Sequence, residues 1–413
     1  MPEITSVISA STTTEFPYDT VLDEFHRVGK HCVSHDILTA LDKVRATLPG
    51  GSGSPAQIGL LTRFLDIALD KYDDRYDYPT YVALSLLPLP GAENPPPRGA
   101  SAEGQRDRLV VQLVGDALRF ELAVADGRTD LLPQLRPEAR TVEKRCRLAL
   151  RAIRPALGRI GLAADVAGGG DQLDPVTEAR GICAAIEADL SPTERRTLRL
   201  SMLPVWVVHD EYLFIRVLQS FETTYALIAV QLLAATAALS DGDSAGAIRR
   251  LAVAGAALSE SAPLFSLLAT MQVAAFHTFR AYTEGASAIQ SRNYKIVESL
   301  CRKPDRPRLD SAAYHSVPEV RARVLAGQAT FDEAVEVAVA DGRLGADGRA
   351  ELELAMHGFA TALLQWRQTH YSLAVRMLGE RSGTGYTEGT PYLREGRKIP
   401  VFCAFAPPPE DGR

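Results

Sequence analysis

The residue with the clearest chemical potential in this chain is His370. In ELAMHGFATALLQWRQTHYSLAVRMLG it falls in a series with Phe359, Leu363, Trp366, Leu373 and Met377 at spacings of 4, 3, 4, 3 and 4, which puts its imidazole on the apolar stripe of one helix. Such a histidine either completes a core or stands as a neutral imidazole, the form that ligates an iron porphyrin. The segment SGTGYTEGTPYL follows. There Gly383, Gly385 and Gly389 break regular structure, so Thr384 and nearby backbone N–H groups either face an anionic or polar ligand or make a surface turn.

Two further segments carry aromatic and basic groups. AAFHTFRAYTEGASAIQSRNYKIVESL sets Phe276, Phe279 and Arg280 on one helix, which breaks at Gly285 and restarts with Ser287 as N-cap. A guanidinium is costly to bury alone, so Arg280 is either an ion-pair partner or a bidentate receptor for a substrate carboxylate. HDEYLFIRVLQSFETTYALIAVQLL repeats Phe214, Leu218, Phe221 and Tyr225 at helical spacing, a stripe that suits core packing or a flat aromatic ring.

The elements that must position these groups are helices. Alternating strand patterns are scarce, and helix-period stripes cover about 55–72, 107–125, 131–162, 173–190, 192–202, 209–240, 244–258, 263–282, 287–302, 318–342 in shorter pieces, and 347–379. The expected fold class is all-α. Pro88 to Gly104 and Gly168 to Gly170 read as loops. The apolar run from Tyr225 to Leu239 is about 15 residues long and contains Gln231 and Thr236, so a buried core helix is expected and not a membrane span.

Composition narrows the function classes. The 413 residues are 46% apolar and 23% charged, as in a soluble globular protein. Lys+Arg 45 against Asp+Glu 51 gives a formal charge of −6 without a basic run, so nucleic acid is not an expected partner. The first residues have neither a basic nor an apolar stretch of the kind that directs secretion, and the expected location is the cytoplasm. The five cysteines are scattered without a CxxC pair and read as reduced thiols. Among eight histidines, only His31 and His35 stand four apart, and the CVS between them reads as a loop turning into a helix and not as a metal site.

Taken together and in order, the segments resemble the tryptophan 2,3-dioxygenase superfamily of haem proteins. HDEYLFI resembles the family's HDE-x-LFI. FRAYTEGASAIQSRNYKIVE resembles its FRE-x-L-x-x-ASGFQS-x-x-YR-x-IE, and WRQTHYSLAVRMLG with GTGYTEGTPYL resembles its WR-x-x-H-x-x-x-V-x-RMIG and GTGGSSG-x-x-YL. YPTYVALSLLPL is similar to the family's amino-terminal Y-x-x-YL-x-L-x-x-LL.

The resemblance implies a helical haem-binding domain with an added helical N-terminal and inserted region. It divides the chain into 1–90 with the Tyr78 motif, a helical insertion over 91–200, a haem- and substrate-binding domain over 201–395, and a tail over 396–413. It implies haem b, with His370 as its proximal iron ligand and Trp366, Arg376 and Ser287 near its propionates. Arg280 and Thr384 would bind the polar end of the substrate, and Phe214 and Phe276 would wall the indole. Tyr78 would reach a neighbouring subunit of a dimer or tetramer.

Four departures stand out. Leu218 occupies the position of the family's distal histidine, so no catalytic side chain is assigned there. GTGG becomes GTGY with Tyr386, ASGFQS becomes ASAIQS with Ala288 and Ile289, and about 120 residues separate the Tyr78 motif from HDE. The expected activity is oxygenation of L-tryptophan or a close analogue by dioxygen, opening the indole C2–C3 bond to an N-formylkynurenine-type product. Two alternatives stay open: a haem monooxygenase or oxidative-rearrangement enzyme of natural-product biosynthesis, and a non-catalytic helical haem-binding or scaffold protein.

Overall fold

A computed structural model describes residues 2–48, 54–91, 101–162, 174–379 and 389–405. Regular structure among the described residues is helical, with one isolated parallel bridge between Gln134 and Val208, and the fold is all-α as expected. In chain order the helices are α1 (Pro2–Ala10), α2 (Tyr18–Val28), α3 (His35–Thr47), α4 (Pro55–Ala68), α5 (Tyr78–Tyr81), α6 (Ala102–Ala125) and α7 (Ala139–Arg159). Then follow α8 (Pro175–Asp189), α9 (Pro192–Leu200), α10 (His209–Ser240), α11 (Ser244–Glu260), α12 (Ala262–Leu268), α13 (Val273–Arg280) and α14 (Arg292–Cys301). The series ends with α15 (Arg306–Leu309), α16 (Ala312–His315), α17 (Pro318–Leu325), α18 (Phe331–Ala340), α19 (Ala346–Leu378) and α20 (Thr390–Gly396).

Local chemistry sets many of these boundaries. Ser54 with Gln57, Ser191 with Glu194 and Thr330 with Glu333 form reciprocal capping boxes that start α4, α9 and α18. Gly29 ends α2 at φ +80, and a Cβ there would stand 2.8 Å from both Trp206 Cα and Val205 O, so glycine alone admits the two backbones so close. The contact is fastened by Lys30 N–H to Pro204 O and His31 N–H to Val205 O.

The chain divides into two compact units, each assembled from separated segments. The first contains Met1–Pro88, Asp107–Ser220 and Ser266–Ala288; the second contains Leu89–Arg106, Phe221–Phe265 and Ile289–Arg413. In the first, Phe16, Phe25, Phe64 and Leu65 anchor a core under α2–α4. In the second, α11 packs along α19, where Phe359 and Leu363 are fully buried and each contributes about 2 kcal/mol by leaving water. Helix α10 gives its N-terminal part to the first unit and the rest to the second.

Several sequence expectations shift. The helix expected over 131–162 begins only at Ala139, because Pro133 and Pro137 punctuate a stretch in which Leu132 and Leu135 have positive φ. The helix expected over 263–282 is two, α12 and α13, interrupted before Gln272, which is extended. Ser291, not Ser287, caps α14 by accepting from Tyr294 N–H, and Ala288–Gln290 form a 3-10 turn ahead of it. Helix α10 is long and apolar enough to cross a membrane by length and composition, as is the Ser244–Leu268 stretch, so the short-run expectation understated it. Sixty-one per cent of its most apolar window is nevertheless buried within the fold, as a core helix requires. All five cysteines are free thiols.

Candidate functional site

In the second unit the α19 stripe is buried at both ends, at Phe359 and Leu363 and again at Met377, and it opens in the middle. Trp366 and His370, one turn apart, are only half-buried there. The His370 ring stacks 6.2 Å from Phe265 and lies 5.1 Å from Trp366, and desolvation alone lowers its pKa to about 4. The imidazole is therefore neutral at physiological pH, with a nitrogen lone pair to offer. Around Trp366 gather Phe221, Tyr225, Phe265 and Tyr294, at centroid distances of 5.6, 5.4, 5.1 and 5.8 Å. Its Nε1–H is buried and finds no acceptor among the described residues. A donor stranded in that way is uncommon in a folded protein and marks a place for an acceptor that the described residues do not supply.

Beside this nest lies a buried cationic cluster on α14, α15 and α19. Arg308 grips Glu298 with two hydrogen bonds of 2.7 and 2.8 Å and donates to Tyr392 Oη at 2.9 Å. Lys295 Nζ is 3.8 Å from Glu298 and 3.4 Å from Tyr392 Oη, and Arg367 donates to Tyr294 Oη at 2.8 Å and to the Ile399 carbonyl. Among the described residues, Glu298 is the one carboxylate within ion-pair distance of Lys295 and Arg308, and Arg367 makes no ion pair with it. Burial pulls the Lys295 pKa down to about 8 against the attraction of Glu298. The Glu298 carboxyl is held well below its usual range, because the charges of Lys295 and Arg308 outweigh the desolvation that opposes them. A surplus of buried positive charge is favourable only where an anion can meet it.

The first unit carries the aromatic wall. Phe214 on α10 and Phe276 on α13 meet edge to face at 5.9 Å, and fully buried Phe279 backs both, at 5.2 and 5.6 Å. Phe214 and Phe276 keep part of their faces accessible, the geometry that receives a flat ring. Leu218, one turn on from Phe214, is buried in the same apolar cluster as Ile215, Tyr81 and Ala286 and offers no proton acceptor. Arg280 is half-buried at the C-terminal end of α13, on the helix that carries Phe276.

Tyr78, expected to reach a neighbouring subunit, is 2% exposed inside this chain's own core. Its segment is tied to α10 by Tyr81 Oη–H to Glu211 at 3.3 Å and by Gln219 Nε2–H to Val82 O at 3.0 Å. Glu211 also accepts from Val205 and Trp206 N–H, and its burial still raises its pKa to about 8. It is fully enclosed, and its partners are the Tyr81 hydroxyl and the Val205 and Trp206 N–H groups. Ser287 is half-buried in the first unit, and Arg376 is exposed, outside the ring contacts that gather Trp366 and His370. Thr384, Tyr386 and the loop around them lie outside the described residues.

Sequence reading missed Lys295, Glu298, Arg308 and Arg367. The available signal was Lys295 and Glu298 at i,i+3 on a helix buried nearly all round, where two charges have no solvent to face.

No known protein-family model matches the chain. It is similar to the tryptophan 2,3-dioxygenase of Bradyrhizobium strain BTAi1, 27% identical over 234 residues, which is 48% of this chain and 83% of that protein. The protein of the same name from Bradyrhizobium strain ORS 278 is 29% identical over the same length and shares. That of Burkholderia mallei strain SAVP1 is 26% identical over 230 residues, 47% of this chain and 74% of the relative.

Proposed function

We propose that this chain, a divergent member of the tryptophan 2,3-dioxygenase superfamily over about half its length, is a haem-dependent oxygenase. Its substrates on this reading are dioxygen and L-tryptophan or a close indole amino acid, with the indole C2–C3 bond opened to an N-formylkynurenine-type product. The observation that carries the reading is His370, neutral and half-buried one turn from an orphaned Trp366 N–H. These residues fit an iron porphyrin: His370 would ligate its iron, and Trp366 Nε1–H and Lys295 would donate to its carboxylates. Bound haem would supply the binding and activation of dioxygen.

The chain's own residues bind and orient. Phe214 and Phe276 wall the indole with their accessible faces and exclude water, and Arg280 takes the α-carboxylate, which converts an encounter into a fixed alignment. Leu218 moves no proton, and no side-chain base is assigned at that position. This aliphatic residue is also the observation that favours a second reading, insertion of a single oxygen atom. Turnover under isotopically labelled dioxygen separates them. Two labelled atoms in a ring-opened product are expected; one labelled atom in an intact-ring product would replace the dioxygenase reading with hydroxylation.

A further inference from the structure

The long segment before HDE has no counterpart in the family's motifs, yet its side chains meet at the start of the helix that carries Phe214. Arg145 of α7 is fully buried. It donates to Glu121 of α6 at 2.6 Å, to Asp210 at the start of α10 at 2.6 Å, and to Thr270 Oγ1 at 3.0 Å. The other oxygen of Asp210 accepts from Gln272 N–H at 2.8 Å, and Gln272 is the residue from which α13 starts. One guanidinium and one carboxylate therefore fix the origins of both helices that present Phe214, Phe276 and Arg280. His209 lies between the two carboxylates, its ring nitrogens 3.5 Å from Asp210 and 3.8 Å from Glu121, so the titratable groups enclosed here are Arg145, His209, Glu121 and Asp210.

The same segment makes further attachments. Gln134 N–H bonds Val207 O at 3.1 Å and its carbonyl accepts from His209 N–H at 2.9 Å, while Gln272 Nε2–H reaches Leu135 O at 2.7 Å. Asp116 of α6 accepts from Tyr212 Oη at 2.6 Å and Arg216 Nε at 2.8 Å, and Phe120 stacks on Tyr212 at 4.2 Å. We propose that the inserted helices α6 and α7 are the scaffold that sets the substrate wall, with Arg145 as its central positioning residue. This rests on the substrate reading above only for the identity of the ligand. The geometry assigns Arg145 no contact with substrate; it acts through Asp210, so its loss should loosen α13 and blunt recognition of the indole and carboxylate together.

The test is hydrogen exchange by mass spectrometry on the full chain, wild type beside Arg145→Met and Arg145→Lys, with L-tryptophan affinity measured by calorimetry on the same samples. Faster exchange over 209–218 and 271–282 is expected in Arg145→Met, with affinity weakened about tenfold or more, since the fork geometry is gone. Arg145→Lys should be intermediate. Val335→Ala, a cavity variant of the second unit, should show neither change. Should Arg145→Met fail to fold, Glu121→Gln is read in the same way. Unchanged exchange over 271–282 in a folded variant, or raised exchange with affinity intact, would overturn the positioning role. If wild type ignores L-tryptophan but the exchange change appears, the positioning role stands and the substrate reading falls.

Discussion

His370→Ala is expected to abolish haem retention while leaving a folded helical protein. The side chain is one residue on a stripe whose buried ends, Phe359, Leu363 and Met377, stay in place, so the loss to packing is modest beside the loss of the ligand. With the imidazole gone, no histidine remains in the Trp366 nest, and the Soret absorbance seen in haem-supplied wild type should disappear from the purified variant. A pH titration gives an independent view. Folding lowers the His370 pKa from 6.5 to about 4, so the folded state prefers the neutral ring. That contribution to stability is complete above pH 6.5 and is lost as the pH falls through 6.5 toward 4. The apo wild type should therefore lose thermal stability over this interval more steeply than apo His370→Ala. Full haem occupancy in the variant, with parallel acid profiles, would return His370 to the core.

The second large effect is expected at Arg280. Hydrogen bonds to a charged partner contribute about 1.5–3 kcal/mol each, so removing a carboxylate receptor should weaken use of L-tryptophan on the order of 100-fold in kcat/KM. Most of that loss should appear in KM, because the carboxylate is held equally in the ground and transition states. Haem content should not change, since Arg280 belongs to the first unit and His370 to the second. Tryptamine, which lacks the carboxylate, supplies the control: wild type and Arg280→Ala should bind it alike. An Arg280→Ala protein with unchanged KM for L-tryptophan would show the guanidinium to be structural.

The elements that sequence periodicity reveals best are those whose burial is one-sided or complete over many turns. Helices α10, α11 and α19 were legible for that reason, and so was the His370 stripe within α19. Gly379 ends that helix at φ +60. What was not legible depends on contacts distant in sequence. The break between α12 and α13 falls where Asp210, 62 residues earlier, takes the Gln272 N–H, and no local pattern encodes that bond. The start of α14 shifted from Ser287 to Ser291 because both serines satisfy the capping rule, and the residues between them form a 3-10 turn.

The candidate site divides along the same line. His370, Trp366, Phe214 and Phe276 could be singled out because aromatic and imidazole groups on helices are conspicuous in the sequence. The charges that accompany them were not, since Lys295, Glu298, Arg308 and Arg367 come from three helices and converge only in the folded chain. Arg145 was missed although it falls on the buried stripe of α7 with Val142, Cys146, Ala149 and Ile153. Tyr78 was expected to reach a neighbouring subunit; its burial within its own chain follows from the bonds of Tyr81 and Val82 to α10.

The central claim, that His370 holds a haem to which an indole amino acid is delivered, is met most directly by one spectrum. The full chain, produced with ample haem precursor, is examined by absorption in the reduced form before and after L-tryptophan is added. A Soret band that shifts saturably with L-tryptophan is the predicted result. A colourless protein that takes up no added haemin, or a Soret band indifferent to L-tryptophan, would contradict it.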